Sequence, residues 1–132
     1  MNKPIYIPRA QMKSFGEKKA GRIPHNYTKV NGIEFDSQAE ADRYMELLVL
    51  QKAGKISELQ IQPQWELIPP QKVPGRQSFR KHVYTADFSY IRDGQLIVED
   101  VKSKRTREER DYRINRKLMW MLKGIYVEEV LK

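Results

Sequence analysis

The segment LIVEDVK, residues 96–102, has the composition of a β-strand that ends in charged residues. It follows Asp87 across the sequence RDGQ, residues 92–95, which is typical of a β-hairpin turn. If residues 93–94 form a two-residue loop, counting back along the hairpin places Asp87 opposite Asp100. Two carboxylates that meet at one edge of a small sheet predict a binding site for a divalent cation.

Side chains of a β-strand alternate between its two faces, and this alternation separates the charged residues of the segment. Asp100 and Lys102 fall on one face, whereas Glu99 falls on the other face with Ile97 and Val101. The alternation therefore favours Asp100, rather than its neighbour Glu99, as the acidic residue of the site.

Asp87, Asp100 and Lys102 each suit a separate task in the hydrolysis of a phosphodiester. Mg²⁺ prefers oxygen ligands and keeps several waters, so two carboxylates, a substrate phosphate and the backbone carbonyl of Val101 are a sufficient set. Lys102 can orient the attacking water or stabilise the transition state. The alternative is that Asp100 and Lys102 only mark the solvated end of a strand, because Asp-x-Lys is by itself a weak motif.

The composition indicates one domain and a polyanionic partner. At 132 residues, 39% of them apolar, the chain suits a single domain with a modest core. Its net charge of +8 favours nucleic acid over a membrane, since no apolar run approaches the roughly 18 residues of a span. The absence of cysteine excludes disulfides, thiolate zinc sites and cysteine nucleophiles. Without an N-terminal apolar stretch that resembles a signal peptide, we expect a cytoplasmic protein.

The N-terminal residues 1–26 are predicted to form a basic arm. Residues 1–29 contain seven lysine and arginine residues against one glutamate, and prolines and glycines interrupt every regular pattern. Such an arm could add sequence-independent phosphate contacts or serve only as a solubilising tail, and the sequence leaves both open. The ordered domain is predicted to span residues 27–132.

A hairpin and a helix are predicted at the start of this domain. Asn31-Gly32 is a two-residue turn signal between short apolar runs. Ser37 is a suitable N-cap for a helix that runs to Gly54. Glu40 fits a capping box with Ser37 but could also face the acidic site, and the residues alone favour capping.

The middle of the chain is predicted to contain two long strands and a loop. Residues 56–68 form one strand that Pro63 bends or places at a sheet edge. Residues 69–80 form a loop that is either a substrate-facing flap or a simple connection. Residues 82–91 then pair with residues 95–102 in the central hairpin.

A second helix and a last strand are predicted to complete the fold. Asp111 caps the helix, and residues 125–130 form the strand. The predicted apolar face of the helix comprises Ile114, Leu118, Met121 and Leu122. The order of hairpin, helix, strand, hairpin, helix and strand predicts an α/β fold with a mixed central β-sheet flanked by helices.

A cluster of basic residues follows Lys102. It is either a solvated helix face, partly balanced by nearby acids, or a phosphate-binding surface, and its adjacency to Lys102 favours phosphate contact. The predicted nucleic-acid-binding residues are Lys104, Arg105, Arg107, Arg113 and Lys117.

The aromatic and histidine residues carry less functional signal. Tyr84, Phe88 and Tyr90 are predicted to lie on the strand face opposite Asp87 and to pack the core rather than stack on bases, and the same is predicted of Trp65 and Trp120. The two histidines, His25 and His82, are too few and too far apart for a histidine nuclease or a zinc motif.

Three segments resemble the PD-(D/E)xK nuclease superfamily: FDSQAEA at residues 35–41, YTADF at residues 84–88 and EDVKS at residues 99–103. More narrowly, residues 27–130 resemble a family of small phage and prophage proteins of unknown function that is related to Holliday-junction-resolvase-like nucleases. One departure is Ala86, which stands where the motif has proline before its aspartate.

This resemblance implies a restriction-endonuclease-like core and four catalytic residues: Glu40, Asp87, Asp100 and Lys102. It implies that Glu40, Asp87 and Asp100, with the carbonyl of Val101, bind Mg²⁺ or Mn²⁺. It also places Tyr112 and Lys117 on a helix where related nucleases carry residues near the phosphate.

The function implied is a metal-dependent DNA endonuclease, phage-encoded, that acts in recombination or replication on branched or nicked DNA. Enzymes of this kind usually act as homodimers in the bacterial host cell. The alternative is a basic phage protein that binds DNA or regulates without cutting and retains the nuclease fold.

Overall fold

The computed structural model describes residues 5–6, 28–103 and 105–132. The predicted arm at residues 1–26 lies outside these ranges except for Ile5–Tyr6, and so does Lys104. The strands are β1 Ile5–Tyr6, β2 Thr28–Val30, β3 Ile33–Phe35, β4 Ser57–Ile61, β5 Pro63–Ile68, β6 His82–Thr85, β7 Phe88–Arg92, β8 Gln95–Lys102 and β9 Val127–Leu131; the helices are α1 Gln38–Lys52 and α2 Arg110–Leu118.

A mixed four-stranded sheet in the order β4-β7-β8-β9 forms the centre of the domain. Strands β7 and β8 are the predicted hairpin, with Arg92 opposite Gln95 and with Asp93 and Gly94 both at positive φ. Strand β9 pairs parallel to β8, whereas the other pairs are antiparallel. The predicted α/β fold with a mixed central sheet is therefore confirmed.

Each face of the central sheet carries its own apolar core. On one face, α1 contributes Ala41, Tyr44 and Leu47, which pack against Phe88 and Tyr90 of β7. On the other face, residues from β5, β6, β8 and β9 pack with the C-terminal end of α2; they are Trp65, Leu67, Tyr84, Val98, Leu118, Met119 and Val127. Alternation along β8 sends its apolar side chains to both cores, so both faces of the sheet are covered.

The two long strands predicted in the middle of the chain are each two strands. Residues 56–68 divide at Gln62, which has a φ of 54°, and residues 82–91 divide at Ala86 and Asp87. The breaks lie side by side, since the Gln62 N–H donates to the Asp87 carbonyl at 2.9 Å. Pro63 has no N–H to continue the ladder, and the chain turns there into a second sheet, β1-β5-β6.

The second helix differs from its prediction in both its cap and its buried face. It begins at Arg110, so Asp111 lies in its first turn and is not its cap. Tyr112 and Met119 are buried, whereas Ile114 and Met121 are exposed. After Leu118 the helix widens into a π-helical turn over Met119–Lys123, which changes the angular spacing on which the predicted face depended.

The opening hairpin and α1 agree with the sequence. Strands β2 and β3 pair across Asn31-Gly32, and Ser37 is the N-cap of α1. Residues 69–80 contain only one isolated bridge, between Gln71 and Phe79. Among the described residues, every helix is too short or too polar to cross a membrane.

Candidate active site

Asp87 and Asp100 lie side by side where the chain passes from one sheet to the other. Asp87 occupies the bend just before β7, and Asp100 lies on β8. The backbone N–H of Asp87 donates to Asp100 Oδ1 at 2.7 Å, and the N–H of Val101 donates to Asp87 Oδ2 at 2.8 Å. The predicted pairing of the two acids is therefore present, and backbone hydrogen bonds hold both carboxylates in place.

The environment of these carboxylates disfavours negative charge. Asp100 is only 3% exposed, and burial is the main cause that raises its pKa. Burial also raises the pKa of Asp87 well above its usual range, and the nearby charges of Asp100 and Glu40 raise it further. The Val101 N–H and the charge of Lys102 act in the opposite direction but do not cancel this effect. The positive charge of Lys102 is therefore not enough to offset the pair, and a bound cation would supply the remainder.

Glu40 lies in the first turn of α1, close enough for its charge to raise the pKa of Asp87. Its backbone N–H is capped by Ser37 Oγ at 3.1 Å. Half of the predicted capping box is thus confirmed. The same turn of helix places the Glu40 carboxylate within electrostatic reach of the acid pair, which the metal-ligand prediction requires.

Lys102 lies on the Asp100 face of β8, as alternation predicts. Its charge lowers the pKa of both Asp87 and Asp100, which places the ammonium near the pair. Its Nζ lies 4.3 Å from the centroid of the Tyr112 ring. A cation over an aromatic face is held without a carboxylate partner. The ammonium therefore has a fixed location beside the acids.

The Val101 carbonyl is oriented toward Asp87. The N–H and C=O of a strand residue point to the same side, and the Val101 N–H points at the Asp87 carboxylate. Its oxygen therefore faces the edge where the acids lie, as a metal ligand from the backbone would have to.

Tyr84 is a site residue that the sequence prediction placed wrongly. Its hydroxyl donates a hydrogen bond to Asp100 Oδ2, and burial raises the pKa of this hydroxyl. The prediction put Tyr84 on the face opposite Asp87 because it assumed an unbroken strand. Because the strand breaks at Ala86 and Asp87, the alternation of faces does not continue from Tyr84 to Asp87. The sequence signal for this break was Pro63 on the neighbouring strand.

Glu99 belongs to a separate network on the other face of β8. Arg43 of α1 binds it in a bidentate manner, through Nε to Oε1 at 2.6 Å and through Nη2 to Oε2 at 2.9 Å. The Tyr90 hydroxyl also donates to Oε2 at 2.8 Å. The predicted position of Glu99 on the face opposite Asp100 is therefore confirmed, and there it binds α1 to the sheet.

The predicted metal ligands are oxygen atoms, which a hard cation prefers, but their positions do not form a complete coordination site. Asp87 and Asp100 supply adjacent carboxylate oxygens, which Mg²⁺ and Mn²⁺ favour. Within the described residues, no three acidic or histidine side chains lie close enough together to hold a metal as they stand. The full set of Glu40, Asp87, Asp100 and Val101 therefore stays a prediction.

The predicted nucleic-acid-binding residues surround the second helix. Arg105 is exposed, and Arg107, Arg113 and Lys117 are exposed around a cleft beside α2. Lys104 lies outside the described residues. Phosphate binding by this group stays a prediction, and three of its members, Arg107, Arg113 and Lys117, line the same cleft.

Several other sequence predictions have clear outcomes. Trp65 is buried, as predicted, whereas Trp120 is 61% exposed, so its assignment to the core is wrong. The π-helical turn buries Met119 and leaves Trp120 in solvent. His82 Nε2 forms a hydrogen bond with Asn115 Oδ1 at 2.6 Å.

Comparison with known proteins gives the family of this chain and no activity. The fold and the acid pair define a mixed α/β domain with a buried carboxylate site. A family model described as "Protein of unknown function (DUF1064)" matches residues 24–130, and the chain belongs to that family. Searches of the curated proteins and of the solved structures return no match.

Proposed function

We propose that this protein is a Mg²⁺- or Mn²⁺-dependent DNA endonuclease with a PD-(D/E)xK, restriction-endonuclease-like core. The observation that carries the proposal is the adjacency of Asp87 and Asp100, held by backbone hydrogen bonds, with Lys102 on the same face. Glu99, on the opposite face, forms an ion pair with Arg43. Asp100 is buried and Asp87 is half-buried, and Lys102 only partly offsets their negative charge, so the pair suits a bound metal ion.

Each residue has a distinct task in the proposed reaction. Asp87, Asp100 and Glu40 bind the metal through their carboxylates, and Val101 through its carbonyl. When bound, the metal supplies a water of lowered pKa and positive charge against the phosphate. Lys102 orients that water or stabilises the charge that develops on the phosphoryl oxygens.

Tyr84 is a positioning residue in this scheme. Its hydrogen bond fixes the orientation of the Asp100 carboxylate, since the hydroxyl donates to Oδ2 while the Asp87 N–H donates to Oδ1. Each carboxylate oxygen can accept more than one bond, so both remain available as ligands. An ordered carboxylate binds a metal with less loss of entropy than a mobile one.

The substrate and setting follow from charge and resemblance. The net charge of +8 and the exposed basic residues beside the site favour DNA. By its resemblance to junction-resolving nucleases, the enzyme would be a phage-encoded homodimer that acts on branched or nicked DNA during recombination or replication in the bacterial cytoplasm. The alternative is a DNA-binding protein that does not cut. It is less well supported, because carboxylates beside a phosphate repel it when no metal is present.

The test is cleavage of plasmid, linear and four-way-junction DNA by the purified protein with Mg²⁺ or Mn²⁺, and with EDTA as the control. We expect cutting that requires metal and that falls by roughly 100-fold or more in Asp100→Asn, since a metal contributes several kcal/mol to such reactions. The matched control is Asp93→Asn in the hairpin turn, where asparagine tolerates the positive φ. Intact substrates with wild type in both metals would leave a binding protein as the better description. Equal cutting by Asp100→Asn would show that the cleavage does not use the proposed site.

A further inference from the structure

A cleft opens beside the acid pair, between α2 and the edge strand β9. Its volume is about 490 Å³, which lies within the usual range for sites that bind small organic ligands or parts of larger ones. It is lined by four basic residues, three aromatic residues and one acid: Arg107, Arg113, Arg116, Lys117, Tyr112, Trp120, Tyr126 and Glu129.

The four basic residues of the cleft divide into a structural one and three available ones. Arg116 is partly buried; its Nε donates to the Val127 carbonyl at 2.8 Å, and its Nη1 lies 3.6 Å from Glu129. Arg107, Arg113 and Lys117 are exposed and form no ion pair with the described part of the chain. Three unneutralised cations around one cleft attract an anionic ligand.

Two of the three aromatic residues of the cleft are unusually exposed, whereas Tyr112 is buried. Trp120 is 61% exposed and Tyr126 is 58% exposed, although large aromatic side chains gain free energy when they are buried. The Arg116 guanidinium lies 4.6 Å from the centroid of the Tyr126 ring and braces it. Tyr126 is therefore held in position at the edge of the cleft.

Exposed aromatic rings together with exposed cations are how proteins bind unpaired nucleotides, because bases stack on the rings while phosphates pair with the cations. A base within a duplex is already stacked on its neighbours and cannot use such a ring. We propose that this cleft binds an unpaired nucleotide of a DNA strand, with its base on Trp120 and its backbone phosphates at Arg107, Arg113 and Lys117.

The cleft is continuous with the proposed active site through Tyr112. This side chain lines the cleft, its ring lies under Lys102, and its hydroxyl donates to Glu129 at 3.0 Å. Glu129 is in turn the register partner of Asp100. This inference rests on the proposed nuclease function and specifies the substrate of that nuclease. The substrate is DNA that carries unpaired nucleotides next to the scissile phosphate, such as a flap, gap or opened junction.

The intrinsic tryptophan fluorescence of the protein can test this proposal. It has two tryptophans, Trp65 buried at 6% exposure and Trp120 at the cleft. We would titrate the full-length protein in EDTA, where no cleavage occurs, with a single-stranded oligodeoxythymidine and separately with a blunt duplex. We expect the oligodeoxythymidine to quench the fluorescence of Trp120, and we expect this quenching to disappear in Trp120→Phe while binding persists.

The affinity measurement isolates stacking from charge. Trp120→Ala should weaken binding of oligodeoxythymidine by roughly 5- to 100-fold, the cost of removing one stacking ring, and should leave binding of the duplex unchanged. The matched control is Phe79→Ala, which removes a 67% exposed aromatic ring that does not line the cleft and should change neither affinity.

Other outcomes would overturn the proposal. Equal weakening of duplex and single-strand binding by Trp120→Ala would mean that the ring does not stack on a base. Equal Trp120 quenching by heparin, which has charge but no bases, or by polyglutamate, would make the cleft a site for polyanions or acidic peptides. All of these binding measurements are made in EDTA, where no cleavage occurs. A protein without nuclease activity would therefore not produce these contrary results. The contrary results, in turn, would not show that the protein lacks nuclease activity.

Discussion

Glu99 and Asp100 are neighbours on β8, but their side chains lie on opposite faces of the strand and in opposite electrostatic environments. Glu99 is fully buried with a cation of its own, since Arg43 holds it at 2.6 Å. Asp100 is equally buried, but the residue beside it is a second acid, Asp87. Buried charge destabilises a fold unless it is paired, so the Glu99 charge is compensated on the first face, whereas the two acids on the second face repel each other.

The same helix serves both faces. Arg43, in the middle of α1, neutralises Glu99, while Glu40, one turn earlier, adds negative charge near Asp87. The helix thus anchors the sheet at one residue and contributes to the acid cluster at another. The difference between the two faces predicts how the protein should respond to substitution, metal and pH.

The largest effect on stability is expected from Arg43→Gln. Loss of the guanidinium leaves the Glu99 carboxylate buried without its cation, which should lower the free energy of unfolding by about 3–5 kcal/mol. Urea denaturation of wild type and variant measures this. The double variant Arg43→Gln, Glu99→Gln removes both charges and should recover most of the loss. A single variant as stable as wild type would show that the two faces do not differ as described.

Metal should stabilise the acidic face. At a Mn²⁺ concentration about 100-fold above its dissociation constant, the free energy of unfolding should rise by about 2.7 kcal/mol in wild type. Thermal denaturation with and without Mn²⁺ measures this, and we expect no rise in Asp87→Asn or Asp100→Asn. Ca²⁺, which accepts more ligands at longer distances, is a useful second ion. An identical rise in wild type and in both variants would place the metal elsewhere.

The stability of the metal-free protein should fall with pH through the acid pair. The folded state raises the pKa of Asp87 and Asp100, so it binds protons more tightly than the unfolded state does. The two carboxyl groups therefore stabilise the folded state most at pH values below their ordinary pKa of 3.8. This stabilisation is lost as the pH rises from 3.8 to the raised pKa, by up to about 1.4 kcal/mol per pH unit for each proton.

Asp87→Asn is the variant that tests this pH dependence. Its amide can donate to Asp100 and removes one charge, so the variant should lose less stability than wild type over the same pH interval. Urea denaturation at a series of pH values in EDTA measures the difference. Parallel curves for the two proteins would show that the pair is not short of positive charge.

The smallest effect is expected from Ser37→Ala at the N-terminus of α1. Loss of the bond from Ser37 Oγ to the Glu40 N–H should cost about 1 kcal/mol of unfolding free energy. Because the rest of α1 remains, the stabilisation by Mn²⁺ should be unchanged. If the Mn²⁺ effect also falls, the cap is what positions Glu40 near the acid pair, and the two faces are less independent than the Arg43 contact suggests.

Features set by local geometry were predictable from the sequence. The turns at Asn31-Gly32 and Asp93-Gly94 fix their hairpin registers because both need residues that tolerate positive φ. The register of the second hairpin placed Asp87 beside Asp100. Side-chain alternation then separated Glu99 from Asp100 without reference to any packing. The core of the candidate site therefore followed from two short-range rules.

Features that depend on how elements pack were not predictable in this way. The prediction treated Tyr84 and Asp87 as members of one strand, and the transfer of the chain between two sheets at Ala86 reversed the face of Tyr84. The exposed Trp120 was assigned to the core because an apolar helical pattern does not indicate where the helix widens. The cleft at α2 and β9 was missed for the same reason.

Backbone stereochemistry and strand parity are properties of a few consecutive residues, so the amino-acid order alone determined the hairpins, the Ser37 cap of α1 and the partnership of Asp87 with Asp100. The charge environment of that pair depends on distant residues. Arg43 neutralises Glu99 across 56 positions of sequence, and Tyr84 reaches Asp100 across 16. Only the tertiary structure decided that Glu99 forms an ion pair with Arg43 while Asp100 lies beside a second acid, because burial and electrostatic interaction depend on distance in space.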